Sequence, residues 1–389
     1  MKKVISLLVI LTLLMVSVIG CSSGEKGATS TQDEGTIIEL GEDITIEGEG
    51  ASVEDQVVTI TSAGTYSLSG TLEDGMVKVD AKDQTVNLVL AGADITNSEG
   101  PAILVSKASE ATVTLKEGTS NKLTDGGSSD YDAALCSKPS LTIKGEGALT
   151  VSGNNNEGIS SEKDITIESG NIWVKAVEDG LNANNDGVSA ITVKGGYLYV
   201  ESETGDGIDS NGTIDISGGT VIALSALGDA SGGLDADGEV TVTGGTVIAT
   251  GAQLSTPGES STQKSILVSY SSTQKANTLV AIQQDGKEVL TLAPALAYQS
   301  LLYSSDSIAD DVSYVVYSGG SATGDASDGL YINGTYTAGT KVSTVTTESI
   351  TEAQNKGPMG GPQGGGTQGG TPQGGAPQGG APQGTAPQQ

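Results

Sequence analysis

The sequence predicts an all-β chain wound as a right-handed parallel β-helix, with a small C-terminal β domain or cap and a disordered tail. Three observations carry that prediction. A unit of about 25 residues recurs, each copy holding three short alternating stretches with no helical segment between them. Glycine turns recur in phase with those stretches, and Gly is abundant at 57 residues while Phe and His are absent. Helix formers are sparse while Thr, Val, Ile, Gly, Ser and Asp dominate, the profile of an all-β chain with many turns.

The elements follow in chain order. Met1-Lys2-Lys3 and the apolar run Val4 to Val18 form the basic start and apolar core of an export signal, so residues 1–20 are set apart from the fold. The run ends in Val18-Ile19-Gly20-Cys21, which resembles a bacterial lipobox and implies lipidation of Cys21. The chain is therefore expected at the outer face of a bacterial membrane, held only by its lipid. Residues 21–35 read as a polar flexible tether. Cys136 is the other cysteine, so no intramolecular disulfide is available once Cys21 carries lipid.

Residues 36–258 are assigned to the solenoid. Its clearest copies begin at Ala134-Leu135-Cys136-Ser137, Gly158-Ile159-Ser160-Ser161, Gly180-Leu181-Asn182-Ala183, Gly207-Ile208-Asp209-Ser210 and Gly233-Leu234-Asp235-Ala236, spaced by 24, 22, 27 and 26 residues. Each is followed by a stretch such as Ile191-Thr192-Val193 and then a third such as Leu198-Tyr199-Val200. A propeller blade needs about 40 residues, and a leucine-rich repeat needs its own Leu/Asn spacing. A β-sandwich need not keep its strands in phase with its turns. Stacked coils put Leu135, Ile159, Leu181, Ile208 and Leu234 in one inward column. Residues 259–348 lose the phase and gain tyrosines, which reads as a β extension or cap. Residues 354–389 are Gly/Gln/Pro repetition and read as disordered.

The charge of −30, from 48 acids against 18 basic residues, repels nucleic acid and excludes it as a partner. Stacking gathers those acids. The outward position beside the aliphatic column runs Cys136, Ser160, Asn182, Asp209, Asp235, and the turn before it adds Asp179 and Asp206. Carboxylates about 4.8 Å apart repel by roughly 3 kcal/mol per pair at an effective dielectric near 20. Lysines are scarce, so metal is the expected remedy. Asp and Asn oxygens without His or paired Cys suit Ca²⁺ rather than zinc or copper. The expected ligands are Asp179, Asn182, Asp206, Asp209, Asn211, Asp235 and Asp237. Asp186 lies in the same turns, and Asp130 with Asp132 forms a second, smaller group. A single Asx at a bend is an ordinary turn former; the column is what points to a cation. Gly232 to Asp237 resembles a fragment of the glycine-rich calcium nonapeptide, but it does not recur every nine residues.

The run Asp206-Gly207-Ile208-Asp209-Ser210-Asn211-Gly212, followed by Ile214-Asp215-Ile216-Ser217-Gly218-Gly219-Thr220, resembles a bacterial family of calcium-dependent carbohydrate-binding β-helix proteins. The resemblance spans about Leu40 to Glu348 and includes Ala91-Gly92-Ala93-Asp94-Ile95-Thr96-Asn97-Ser98-Glu99-Gly100-Pro101-Ala102-Ile103 and Asp325-Ala326-Ser327-Asp328-Gly329-Leu330-Tyr331. It implies a secreted protein with a polysaccharide-lyase-like fold that binds polymers of cellulose or pectin type.

Binding is favoured over cleavage. A β-helix lyase needs a basic side chain within reach of the α-proton, and with no Arg or His only a lysine remains. Lys138, Lys144, Lys163, Lys175 and Lys194 fall on the repeat, but none shares the acid column. A hydrolytic carboxylate pair cannot be picked out among so many acids. The phase also directs Trp173, Tyr197 and Tyr199 outward on one face, where exposed rings would stack on sugars. The same phase allows a stiffening aromatic pair, or a patch covered by the C-terminal domain. The chain reads as a calcium-dependent polysaccharide-binding monomer, with a lyase or a structural adhesin as the alternatives.

Overall fold

The structure is a computed structural model and describes residues 35–347 apart from 229, 230 and 338. The signal segment, Cys21, the tether before Gly35 and the C-terminal tail lie outside the described residues.

Every regular element among the described residues is a β-strand, and the main body is a parallel β-solenoid. One face stacks eight parallel strands: Val57–Ile60, Met76–Asp80, Ile103–Lys107, Ala133–Ser137, Glu157–Ser161, Leu181–Ala183, Ile208–Ser210 and Leu234–Ala236. Its register is the one the repeat dictates. Leu135 pairs with Ile159, Ile159 with Leu181, Leu181 with Ile208, and Ile208 with Leu234. Ile103 pairs with Leu135, so the early copy belongs to the same column. The second and third stretches stack likewise, Ile191 on Ile165 and Leu198 on Ile172.

The repeat glycine has a steric reason. A Cβ on Gly180 would lie 2.0 Å from Val200 Cγ1 and 2.6 Å from the Gly207 carbonyl of the next coil. Coils at strand spacing leave no room for a side chain there. The aliphatic columns fill the bore as one continuous apolar core from Ile38 to Ala249.

The C-terminal residues do two things. Tyr298–Ser304 pairs antiparallel with Thr246–Gly251, the last third-stretch strand, and with Ser265–Gln274. This covers an edge that would otherwise invite pairing with another chain. Val280–Gln284, Lys287–Leu292, Tyr314–Ser318, Ser321–Ser327, Leu330–Thr337 and Thr340–Val345 form a separate six-stranded antiparallel sheet. A second apolar core joins the two units. Tyr199, Ile222, Leu224 and Ile248, on the outer face of the solenoid, pack with Val280, Ile282, Tyr298 and Tyr314.

Candidate functional site

The acid column forms where the register places it. Asn182 pairs with Asp209, and Asp209 with Asp235, on adjacent coils. Oxygens of Asp206, Asp209 and Asp235 all lie within 4.8 Å of one another. Asp206 and Asp209 are half-buried, and Asp235 is exposed.

Behind this triad the site is tied down by its own backbone. Asp179 Oδ1 accepts from the Asp206 amide at 2.7 Å, and Asp206 Oδ1 accepts from the Gly232 amide at 2.5 Å. Each carboxylate is thereby fixed to the next coil. Asn182 Nδ2 donates to Asp179 Oδ2 at 2.9 Å and to Glu157 Oε1 at 3.1 Å. Asn182 Oδ1 and Glu157 Oε2 are buried and have no hydrogen-bond partner among the described residues. Asp235 Oδ1 accepts from Ser255 Oγ at 2.9 Å, while the Asp209 carboxyl accepts no hydrogen bond among the described residues.

The electrostatics follow from this crowding. Burial, with the charges of Asp179, Asp206, Asp235 and Asp237 added, pushes Asp209 up to about 8. Burial likewise raises Asp206 to about 7, Asp179 to about 6 and Glu157 to about 8. Among the described residues, the lysine ion pairs lie elsewhere: Lys107–Asp80, Lys138–Glu162, Lys175–Glu201, Lys194–Glu168 and Lys264–Asp310. The site is thus an oxygen-rich, partly desolvated cluster of acids, with no lysine among the charges that act on Asp206 and Asp209. Hard oxygen donors from Asp206, Asp209 and Asp235, with the orphaned Asn182 Oδ1 on the coil that pairs with Asp209, fit a calcium-sized cation.

Two further expected ligands lie beside the triad's neighbours. Asn211 spends its amide on Asp186 Oδ1 at 2.8 Å, and Asp237 reaches Asp209 through its charge. Glu157 was not among the expected ligands, although its copy of the repeat places a carboxyl at the position that Asp179 and Asp206 occupy.

The aromatic face does not form the open strip expected of it. Trp173, Tyr197 and Tyr199 do point out of the solenoid, and Trp173 pairs with Tyr199 between coils. The outer face they share is covered by the C-terminal unit, with Tyr199 only 3% exposed and Trp173 and Tyr197 packed against the second core. Their polar edges are also engaged. Trp173 Nε1 and Tyr197 OH both donate to Asp328 Oδ2, at 2.9 and 2.6 Å, and Tyr199 OH donates to Glu201. The physical reason is the neighbouring column: Ile222 and Ile248 continue it outward, and burying them draws the extension over the rings.

A family model described as "Carbohydrate-binding domain-containing protein" matches residues 54–349, more than half of the chain. The chain belongs to that family. A carbohydrate-binding domain-containing protein of Acetivibrio thermocellus is 37% identical over 191 residues, which cover 45% of this chain and 65% of that protein. The chain therefore spans just under two thirds of that relative's length. Among solved structures, the polysaccharide lyase-like protein from C. thermocellum, a gadolinium derivative, aligns with a TM-score of 0.46 at 30% identity, over 58% of this chain and 97% of that one. The family match takes in both the acid triad and the C-terminal unit of this chain.

Proposed function

We propose that the chain is an exported, lipid-anchored protein that binds polysaccharide with the help of calcium and does not cut it. Carbohydrate binding comes from the family. The finer reading rests on one observation, the convergence of Asp206, Asp209 and Asp235 from adjacent coils with Asp179 and Asn182 behind them. These residues would hold the cation. Calcium would supply the positive charge that lets four crowded carboxyls ionise together, and coordination positions for sugar hydroxyl or uronate oxygens. The protein's own part is to fix the carboxylates to the backbone of successive coils. The polymers that fit are of plant cell-wall glucan or pectin type.

Non-catalytic binding is supported by the same neighbourhood. Proton abstraction beside a cation needs a base within hydrogen-bond reach, and the charges that act on Asp206 and Asp209 are those of Asp179, Asp235, Asp237 and Glu178, none of them a lysine's. The test is a pull-down on insoluble glucan and pectin, in calcium and in chelator. Retention that is equal in both conditions, or absent from both, removes the calcium-dependent reading.

A further inference from the structure

The acid triad offers a sugar no more than coordination positions on a bound cation, and the aromatic face is covered, so neither gives a pyranose ring a surface to stack on. A cleft of about 330 Å³ lies further along the solenoid. Val57, Met76, Pro101 and Tyr131 supply apolar lining; Asp74, Asn97 and Glu99 supply polar groups between them. These residues come from turns and strand starts of four successive coils, so the cleft runs across the coils.

Its walls are preformed. Asp74 accepts from the Ser98 amide at 2.8 Å and from Ser98 Oγ at 2.9 Å. Asn97 donates to the Pro101 carbonyl at 2.8 Å and accepts from the Glu99 amide at 3.1 Å. The Tyr131 backbone is pinned by Ser129 Oγ at 2.9 Å and by Asn155 Nδ2 at 2.9 Å, while Tyr131 itself is 38% exposed. A small volume with mixed lining and a few fixed polar groups is the usual form of a small-ligand site.

We infer that this cleft is the sugar-binding subsite, and that it takes neutral pyranose units of a glycan chain stacked on Tyr131. The inference rests on the carbohydrate-binding reading and gives it a location. Asp55, Asp74 and Glu99 line the cleft and no basic residue does, so a uronate would be repelled whereas hydroxyl donors are welcomed by carboxylate acceptors. A flat exposed ring beside Met76 and Pro101 suits the apolar face of a sugar. The position is also right for a polymer. Gly75 and Pro101 precede Val77 and Ile103 as Asp179 and Asp206 precede Leu181 and Ile208, on one edge of one sheet. Pro101 and Asp206 are four coils apart, about 19 Å at ~4.8 Å per coil, so a chain of several sugars lying along that edge reaches both.

The test is calorimetric titration of the full chain, in saturating calcium, with cellohexaose, xylohexaose and hexagalacturonate, alongside retention on insoluble glucan. Hexagalacturonate should keep its affinity in Tyr131→Ala, because its carboxylates are drawn to calcium at the triad and repelled by the acids of the cleft. Tyr131→Ala should weaken neutral binding at least fivefold, and Tyr131→Phe should keep it. Unchanged neutral affinity in Tyr131→Ala, or a loss of hexagalacturonate binding as large as the loss of neutral binding, overturns the subsite; if insoluble glucan is still retained, the carbohydrate-binding reading stands. A wild-type chain that binds neither the hexasaccharides nor insoluble glucan overturns both.

Discussion

The Trp173 indole donates to Asp328 Oδ2 at 2.9 Å, a contact between residues 155 positions apart that ties the C-terminal sheet to the solenoid. Asp328 sits at the tip of a hairpin with φ near 48°, and its Oδ2 also receives the Tyr197 hydroxyl. The Trp173 and Tyr197 rings lie 5.6 Å apart between centroids, tilted by 45°. A side chain so placed is an interdomain fastener.

Trp173→Ala is therefore expected to destabilise the fold by about 2 kcal/mol, below the full cost of truncating a completely buried ring, and to leave glycan affinity unchanged. Asp328→Asn should cost less, because one carbonyl oxygen still accepts. Thermal unfolding and glycan titration of the same variants check both. A Trp173→Ala protein of unchanged stability and weakened sugar binding would return the aromatic face to the role its outward register first suggested.

The acid cluster should make metal-free stability fall as pH rises. Asp209 and Glu157 titrate near 8 and Asp206 near 7 in the folded chain, against about 4 for unfolded carboxyls. Raised folded values mean that their contribution is fully present below about pH 4 and lost as pH climbs through the folded values. In chelator the melting temperature is expected to decline between pH 5 and 8, and Asp209→Asn should flatten that decline. A melting temperature independent of pH across that window would show that the cluster is not desolvated.

Calcium should reverse that decline, because it binds the ionised form. At a concentration about a hundredfold above Kd the stabilisation is about 2.7 kcal/mol, which a melting scan resolves easily. Asp209→Ala should remove most of it, and Asp43→Ala, at an exposed site outside the cluster, should not. An equal calcium shift in wild type and Asp209→Ala would move the metal elsewhere.

No depolymerisation is expected on pectate, polygalacturonate or cellulose. Incubation with calcium should give no rise in ultraviolet absorbance from unsaturated uronides and no new reducing ends. Either signal, lost on replacing a single lysine, would make the protein an enzyme.

How much of this was readable from sequence depended on whether the constraint was local. Alternation of period two locks register wherever one face is buried, so the columns Asn182–Asp209–Asp235 and Leu181–Ile208–Leu234 could be read directly. What covers the outer face could not, because Asp328 meets Trp173 through chain folding and carries no local period. One signal was available: Val221-Ile222-Ala223-Leu224 and Val247-Ile248-Ala249 are apolar without alternation, as strands buried on both faces are. Asp130 and Asp132 marked the Tyr131 turn, but the cleft itself could not be read, since Asp55, Asp74, Asn97 and Tyr131 belong to separate turns.

The central claim is tested most directly by glycan retention of wild type and Asp209→Ala, each in millimolar calcium and in chelator. The account predicts that wild type is retained in calcium alone and that Asp209→Ala is released in both. Retention of Asp209→Ala in calcium at the wild-type level would contradict it.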